Sequence, residues 1–398
     1  MKVKTNQSIP FRYILWILIF SLSFLISCGE NSPEYQPPVE DPFEAPEQTN
    51  DGWETAKPSE AHLNPEALID MIEYINQYQN HGLHSVLIFK DNKLVFERYY
   101  EGYLWDSNYS NFQGDFVKYD RNTLHYLASV SKSVTSVLFG IARDKGLVES
   151  VEIKVMDYYP QFSSIFVGEK ENISIKNLLT MTSGLAWDEN TYPYGDPRNN
   201  VSQMFEQSNP IRYILALPMI SNPGESFHYN SGNTNIIADI IKIESEVNLK
   251  VFAEENLFDP LGIDDYQWDV IRGNYVFASG GLFLTPRSLA KIGSLFLNEG
   301  KWKDTQIISQ DWINESIESY IDPPDTWANG YGYQWWMTNF NADNKLFNCF
   351  LAAGWGGQYM FMFPQEKLIA VFNCGYYTTA TTIDPFYLVE NYILDSLN

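Results

Sequence analysis

Cysteine is scarce in this chain, with only Cys28, Cys349 and Cys374 among 398 residues. Three cysteines at these positions have no metal-ligand spacing and cannot build a disulfide framework. Cys349 and Cys374 would pair only if their strands were neighbours, so buried free thiols are the expectation. Histidine is nearly as scarce. The five are His62, His81, His84, His125 and His228, none in an obvious partner motif. No G-x-S-x-G elbow occurs either, so a Ser-His-Asp triad is the weaker route to any serine chemistry. Positive charge is short too: 26 Lys and Arg face 50 Asp and Glu, a net charge of −24. That balance excludes nucleic acid as a partner, because phosphate binding needs clustered cations. There is no internal repeat.

What is present points to a large folded protein outside the cytoplasm. A hydrophobic fraction of 44%, with 11 Trp, 26 Tyr and 25 Phe, is incompatible with a mostly disordered chain. Lys2 and Lys4 precede the apolar run Ile14–Ile26, which has the length of a signal-peptide core and is short for a membrane span. The run ends Leu25-Ile26-Ser27-Cys28-Gly29 and resembles the bacterial lipobox. The resemblance implies cleavage after residue 27 and lipidation of Cys28, hence a membrane anchor at the bacterial cell envelope. Residues 28–58 are acidic and rich in Pro, Asn and Gln, which predicts a disordered tether behind the lipid.

Folding is expected from Ser59. Asn64-Pro65-Glu66 opens a helix with Leu68, Ile69, Ile72 and Ile75 on one face. A hairpin follows over 85–89 and 94–99, with a turn at Lys90-Asp91-Asn92-Lys93. Helices then dominate to about residue 271, from Ser129 to Ala142, over 174–180, from Phe205 to Leu217 and from Asn235 to Glu246. Strand-like runs return at 331–336 and 348–351, then as a hairpin over 359–363 and 368–372, before a final helix from Tyr387 to Leu397. Strands near both ends and helices between them predict an α/β sheet domain (59–118 and 272–398) with an inserted, mainly helical domain (119–271).

The chemistry centres on Ser129 and Lys132. Residues i and i+3 of a helix share a face, so hydroxyl and amine are neighbours at the start of an apolar helix. A serine so placed is a candidate activated nucleophile. Lys132 is a charge at the edge of a buried helix, costly unless partnered or lowered in pKa. The same spacing recurs at Ser288/Lys291, where Leu289, Ile292 and Leu295 point inward and the pair is expected to face solvent. Tyr229-Asn230-Ser231-Gly232 adds a tyrosine able to act as a base if a cation depresses its pKa from about 10.

Together these stretches resemble the serine β-lactamase-related family, which includes class C β-lactamases, serine DD-peptidases, family-VIII esterases and 6-aminohexanoate-dimer hydrolases. The matching residues are Ala128–Lys132, Ile175–Leu185, Pro223-Gly224 through Gly232, Asp259–Gly262, Ala278–Leu282, Gly330–Trp336 and Gly354–Gln358. The resemblance implies a β-lactamase/DD-peptidase-like fold, an antiparallel sheet flanked by helices with an inserted helical domain. It implies an acyl-enzyme on Ser129, with Tyr229 as a phenolate held by Lys132 and Ser231 bridging Lys132 and substrate. Gly354, Trp355 and Gly356 would form the oxyanion and substrate edge, Trp187, Tyr192, Trp335, Trp336 and Trp355 the cleft lining. No metal or cofactor is implied, and the partner is a small-molecule or peptide substrate. Two departures matter: Tyr229-x-Ser231 replaces the Tyr-x-Asn of class C β-lactamases, and Ala352-Ala353-Gly354 replaces their Lys-Thr-Gly. Amide or ester hydrolysis is therefore expected ahead of β-lactam hydrolysis. The alternatives are a penicillin-binding peptidase or β-lactamase, and a catalytically silent cell-wall or peptide-binding lipoprotein.

Overall fold

Eight strands make one sheet: β1 (Glu54–Thr55), β2 (Leu83–Lys90), β3 (Lys93–Tyr99), β4 (Gly330–Tyr331), β5 (Trp336–Ala342), β6 (Lys345–Gly354), β7 (Gln358–Phe363) and β8 (Leu368–Cys374). The computed structural model describes residues 43–397; the expected signal peptide, Cys28 and residues 28–42 of the expected tether lie outside them. The strand order is β1-β3-β2-β8-β7-β6-β5-β4. All pairs are antiparallel except β1 with β3, which makes the sheet mixed.

The central strands are buried on both faces, and the period of two decides which side chain goes where. Val86, Ile88, Phe361, Phe363, Ala370 and Phe372 enter one core, with Leu68, Met71 and Ile75 of α1 (Pro65–Asn76). Leu87, Phe89, Met360, Met362, Ile369 and Val371 enter the other. That second core continues into α2 (Val130–Asp144), α3 (Ser231–Ser245) and α4 (Pro286–Leu297). Each large apolar side chain removed from water contributes about 1.5–3 kcal/mol before entropy is counted. The sheet is thus covered on both faces, by α1 on one side and by α2, α3 and α4 on the other.

Helix starts follow the local signals. The Asn64 side chain accepts from Glu66 N at 3.0 Å, and Pro65 fills the first turn where no donor is needed. α2 is buried from Val130 to Ala142. Two of its buried hydroxyls tie it to other segments: Ser133 Oγ donates to Gln334 O at 2.7 Å and Thr135 Oγ1 to Ala278 O at 3.0 Å.

Several expectations need correction. Residues 43–58 are not a free tether: Trp53 is buried against Phe89 and Trp302, and β1 pairs with β3. Arg287 explains this, because its buried guanidinium holds Asp51 at 3.0 Å and Glu97 at 2.6 Å. The helix expected from Phe205 to Leu217 is two, Asn200–Glu206 and Pro210–Ala216, since Pro210 keeps Asn209 extended and Asn209 caps the second. Residues 331–336 are not one strand. Gln334 turns with φ +67°, and its side-chain amide donates to Leu178 O and Leu179 O at 3.0 Å each. α3 starts at Ser231 rather than Asn235, capped by Asn230. The last helix starts at Pro385, capped by Asp384. The polar, aromatic stretch after Tyr99 folds into a hairpin, Glu101–Trp105 with Gln113–Lys118. Among the described residues, no helix is long and apolar enough to cross a membrane.

Candidate active site

The nucleophile turn is held by the Leu282–Leu284 strand. His125-Tyr126 pairs with Phe283-Leu284, and Leu127 N donates to Leu282 O at 2.9 Å. Ala128 is forced to φ +46°, a left-handed conformation that costs a non-glycine residue energy. Ser129 then stands at the N-cap position of α2, yet its hydroxyl does not cap the helix. It accepts instead from Lys132 Nζ at 2.8 Å. The positive end of the α2 dipole lies at this hydroxyl and favours developing negative charge there.

Lys132 is 2% exposed. Besides Ser129 Oγ it donates to Ser279 O at 2.8 Å. The Ala278–Leu282 segment is the strap that makes this possible. Asn235 fixes it, donating to Ser279 Oγ at 2.9 Å and accepting from Ala278 N at 3.2 Å. Burial pulls the Lys132 ammonium down to about 8, and the charge of Glu189 offsets part of that fall.

Tyr229, next to the cap of α3, brings its ring parallel to Trp336 at 5.8 Å and places it 4.9 Å from Lys132 Nζ. Burial, then the charge of Glu189, raises its phenol above the ordinary value, while a hydrogen bond with Ser129 acts in the opposite direction. Both shifts, the lysine downward and the phenol upward, disfavour the pairing of Lys132 ammonium with Tyr229 phenolate expected from the sequence.

Two cavities meet at Ser129, of about 300 and 630 Å³. Ser129, Phe112, Tyr194 and Trp355 line both. Ala353, Gly354, Trp336 and Tyr192 line the larger. Gly354 is required by close approach: a Cβ there would lie 2.4 Å from Leu127 O. Gly356 lines neither cavity; it turns the chain at φ +83° against the Tyr377 ring. Trp187 and Trp335, both buried, are also absent from the lining of either cavity.

Ser231 lines the smaller cavity, but its hydroxyl does not bridge to Lys132. It donates to Glu189 Oε1 at 2.9 Å, and Ser231 N donates to Glu189 Oε2 at 2.9 Å. Glu189 also accepts from Trp187 Nε1 at 2.5 Å and Tyr194 OH at 3.3 Å. This buried carboxylate is the site residue that sequence reasoning missed. Its loop, Asp188-Glu189-Asn190-Thr191, reads as solvated surface, and nothing local marks the acid as buried.

The other S-x-x-K pair also departs from expectation. Lys291 is 1% exposed and donates to Gly262 O at 2.7 Å, while Ser288 Oγ accepts from Thr285 Oγ1 at 2.9 Å. Cys349 and Cys374 are buried free thiols, and no cluster able to hold a metal ion occurs among the described residues.

Residues 70–382 match the model of the Beta-lactamase family. The 6-aminohexanoate-dimer hydrolase of Paenarthrobacter ureafaciens is 26% identical over 65% of this chain and 67% of its own length. In fold, the chain is similar to a family VIII carboxylesterase, with a TM-score of 0.64, 15% identity, and coverage of 83% and 97% of the two chains. It is similar also to the octameric penicillin-binding protein homologue from Pyrococcus abyssi, with a TM-score of 0.59, 17% identity, and coverage of 83% and 76%.

Proposed function

This chain belongs to the beta-lactamase family and is a hydrolase of its serine type, and we propose that it cleaves an ester or amide through an acyl-enzyme on Ser129. The observation that carries the reading is the 2.8 Å bond between Lys132 Nζ and a Ser129 hydroxyl that caps nothing and opens to both cavities.

Lys132 acts as the base, in its free-amine form. Its pKa near 8 populates that form at mildly alkaline pH, where a general base works best. As Ser129 Oγ attacks the carbonyl carbon, its proton passes to Lys132 Nζ. The oxyanion is received by the backbone N–H groups of Ser129 and Trp355, each such donor contributing about 10²–10³-fold. Tyr229 OH protonates the departing oxygen or nitrogen and is restored from the Lys132 ammonium. Water then attacks the acyl carbon by the reverse route and leaves the carboxylic acid. This assignment exchanges the base and acid roles expected from the sequence.

A fluorophosphonate probe should label the protein on Ser129, and Ser129→Ala should remove the label. Labelling of the variant at another residue would place the nucleophile elsewhere. Fluorescent penicillin is expected to label poorly, because Ala352-Ala353-Gly354 brings no cation to β-lactam carboxylate recognition. The Ser129–Lys132 bond weighs against a silent binding lipoprotein. Anchoring at a bacterial cell envelope through lipidated Cys28 belongs to the same proposal, and rests on Leu25-Ile26-Ser27-Cys28. Cys28→Ser should move the protein from the membrane fraction to the soluble fraction.

A further inference from the structure

The two cavities at Ser129 differ in which catalytic groups they contain. Tyr229 lines the larger and not the smaller, whereas Ser231, Ser279 and Gly280 line the smaller and not the larger. In the mechanism above, Tyr229 gives its proton to the departing group. The part of the substrate beside Tyr229 therefore leaves, and the part in the smaller cavity stays on Ser129.

That smaller cavity is walled by rings already packed against one another. Trp105 lies parallel to Phe112 at 4.6 Å and 4°, and to Tyr126 at 4.2 Å and 8°. Phe205 and Phe277 meet edge to face at 4.8 Å. Flat walls fixed before a ligand arrives favour a flat occupant, through offset or edge-on ring contacts. No lysine or arginine lines either cavity among the described residues, whereas Glu206 lines the smaller and Glu189 the larger. Glu206 is exposed and paired with Arg272 at 3.2 Å. Nothing along these walls would pair an acyl-side carboxylate.

From this geometry we infer that the smaller cavity is an acyl pocket selecting a neutral, aryl-bearing acyl group. The inference rests on the hydrolase reading and specifies its substrate class. On such a substrate, the bond broken is the one between the acyl carbon and the oxygen or nitrogen on the Tyr229 side. The released acid carries the aromatic ring.

A pair of isomeric esters tests the assignment with the full chain. Ethyl phenylacetate carries its ring on the acyl side, and 2-phenylethyl acetate carries it on the leaving side. Ethyl phenylacetate should be favoured by about tenfold or more in kcat/KM, the scale of a good apolar pocket. Monoethyl succinate should be turned over more slowly than ethyl acetate. Phe277→Ala should lower the ratio between the two isomers, chiefly through KM. Phe205→Ala, on a separate helix, should lower the same ratio and serves if the first variant misfolds. Equal rates, a reversed preference or an unchanged ratio in both variants would overturn the pocket assignment. A readout without turnover is the binding of benzylboronic and methylboronic acids, followed by tryptophan fluorescence. Benzylboronic acid should bind about tenfold tighter, and equal affinities count against the pocket. Loss of fluorophosphonate labelling would sink the hydrolase reading itself; labelling with a flat acyl profile would sink only the pocket.

Discussion

Ser129–Lys132 and Ser288–Lys291 are the same four-residue pattern at the start of two buried helices. Both lysines are almost fully enclosed, both donate to a backbone carbonyl, and burial lowers both pKa values. A buried lysine three residues after a serine is therefore not enough to make a nucleophile. The difference lies in what the serine hydroxyl does. Ser288 sits inside the first turn of α4, its N–H and Oγ both occupied by the Thr285 cap. Ser129 stands one position before α2, after a strained Ala128, and spends its hydroxyl on the amine. The second lysine braces the carbonyl of Gly262, whereas the first sits beneath a hydroxyl that opens into two cavities.

Breaking each pair should separate them sharply. Ser129→Ala should cost on the order of 10⁶-fold in kcat, as loss of a nucleophile does. Ser288→Ala should keep turnover within about twofold, since it removes only part of a cap network. Ester hydrolysis by the two purified variants is the measurement, and equal losses would erase the distinction between the two pairs. Tyr229→Phe removes the proposed proton donor from the first pair alone. A fall of about 10²–10⁴-fold is expected in kcat, greatest for poor leaving groups such as amides and alkyl esters. A uniform effect across leaving groups would assign the phenol a positioning part instead.

How much of this was legible in the sequence depends on how local the cause is. Ser129 and Lys132 were readable because three residues of helix bring them together. The two hairpins of the main sheet were readable because strand alternation and turn residues lie side by side. Glu189 was not, because its burial depends on Ser231, 42 residues away, and on Trp187 and Tyr194 closing around it. Residues 43–58 looked like a tether because their anchor, Arg287, is more than 200 residues distant. The break before Pro210 was written locally in Asn209-Pro210, but the apolar spacing of Phe205–Leu217 overrode it. Roles were less legible than partners. Burial pushes the Lys132 pKa down and the Tyr229 pKa up, and no motif shows burial.

The pH profile sharpens that point. With Lys132 as base, kcat/KM should rise with pH through an apparent pKa near 8 and fall below it as the amine is protonated. Glu189→Gln removes the negative charge that holds the Lys132 pKa up, so the limb should move to lower pH. The amide can still accept from Ser231 or Trp187, so kcat should fall by no more than about tenfold. A limb that stays in place in this variant would show that Glu189 does not act on the lysine.

The smallest effect on turnover belongs to Lys291. Its Nζ donates to Gly262 O at 2.7 Å, at the end of the short Asp259–Leu261 helix, and lies 5.8 Å from the Trp302 ring centroid. Lys291→Met keeps most of the side-chain volume but leaves that carbonyl without its charged donor. A hydrogen bond from a charged group contributes about 1.5–3 kcal/mol, partly offset because no charge then has to be buried. The expected result is a lower midpoint in urea unfolding, with ester turnover and its pH limb unchanged. Lys132→Met, by contrast, should remove turnover together with the limb near pH 8. If Lys291→Met also moved the limb, the two pairs would be electrostatically coupled. The contrast between a structural lysine and a catalytic one would then fail.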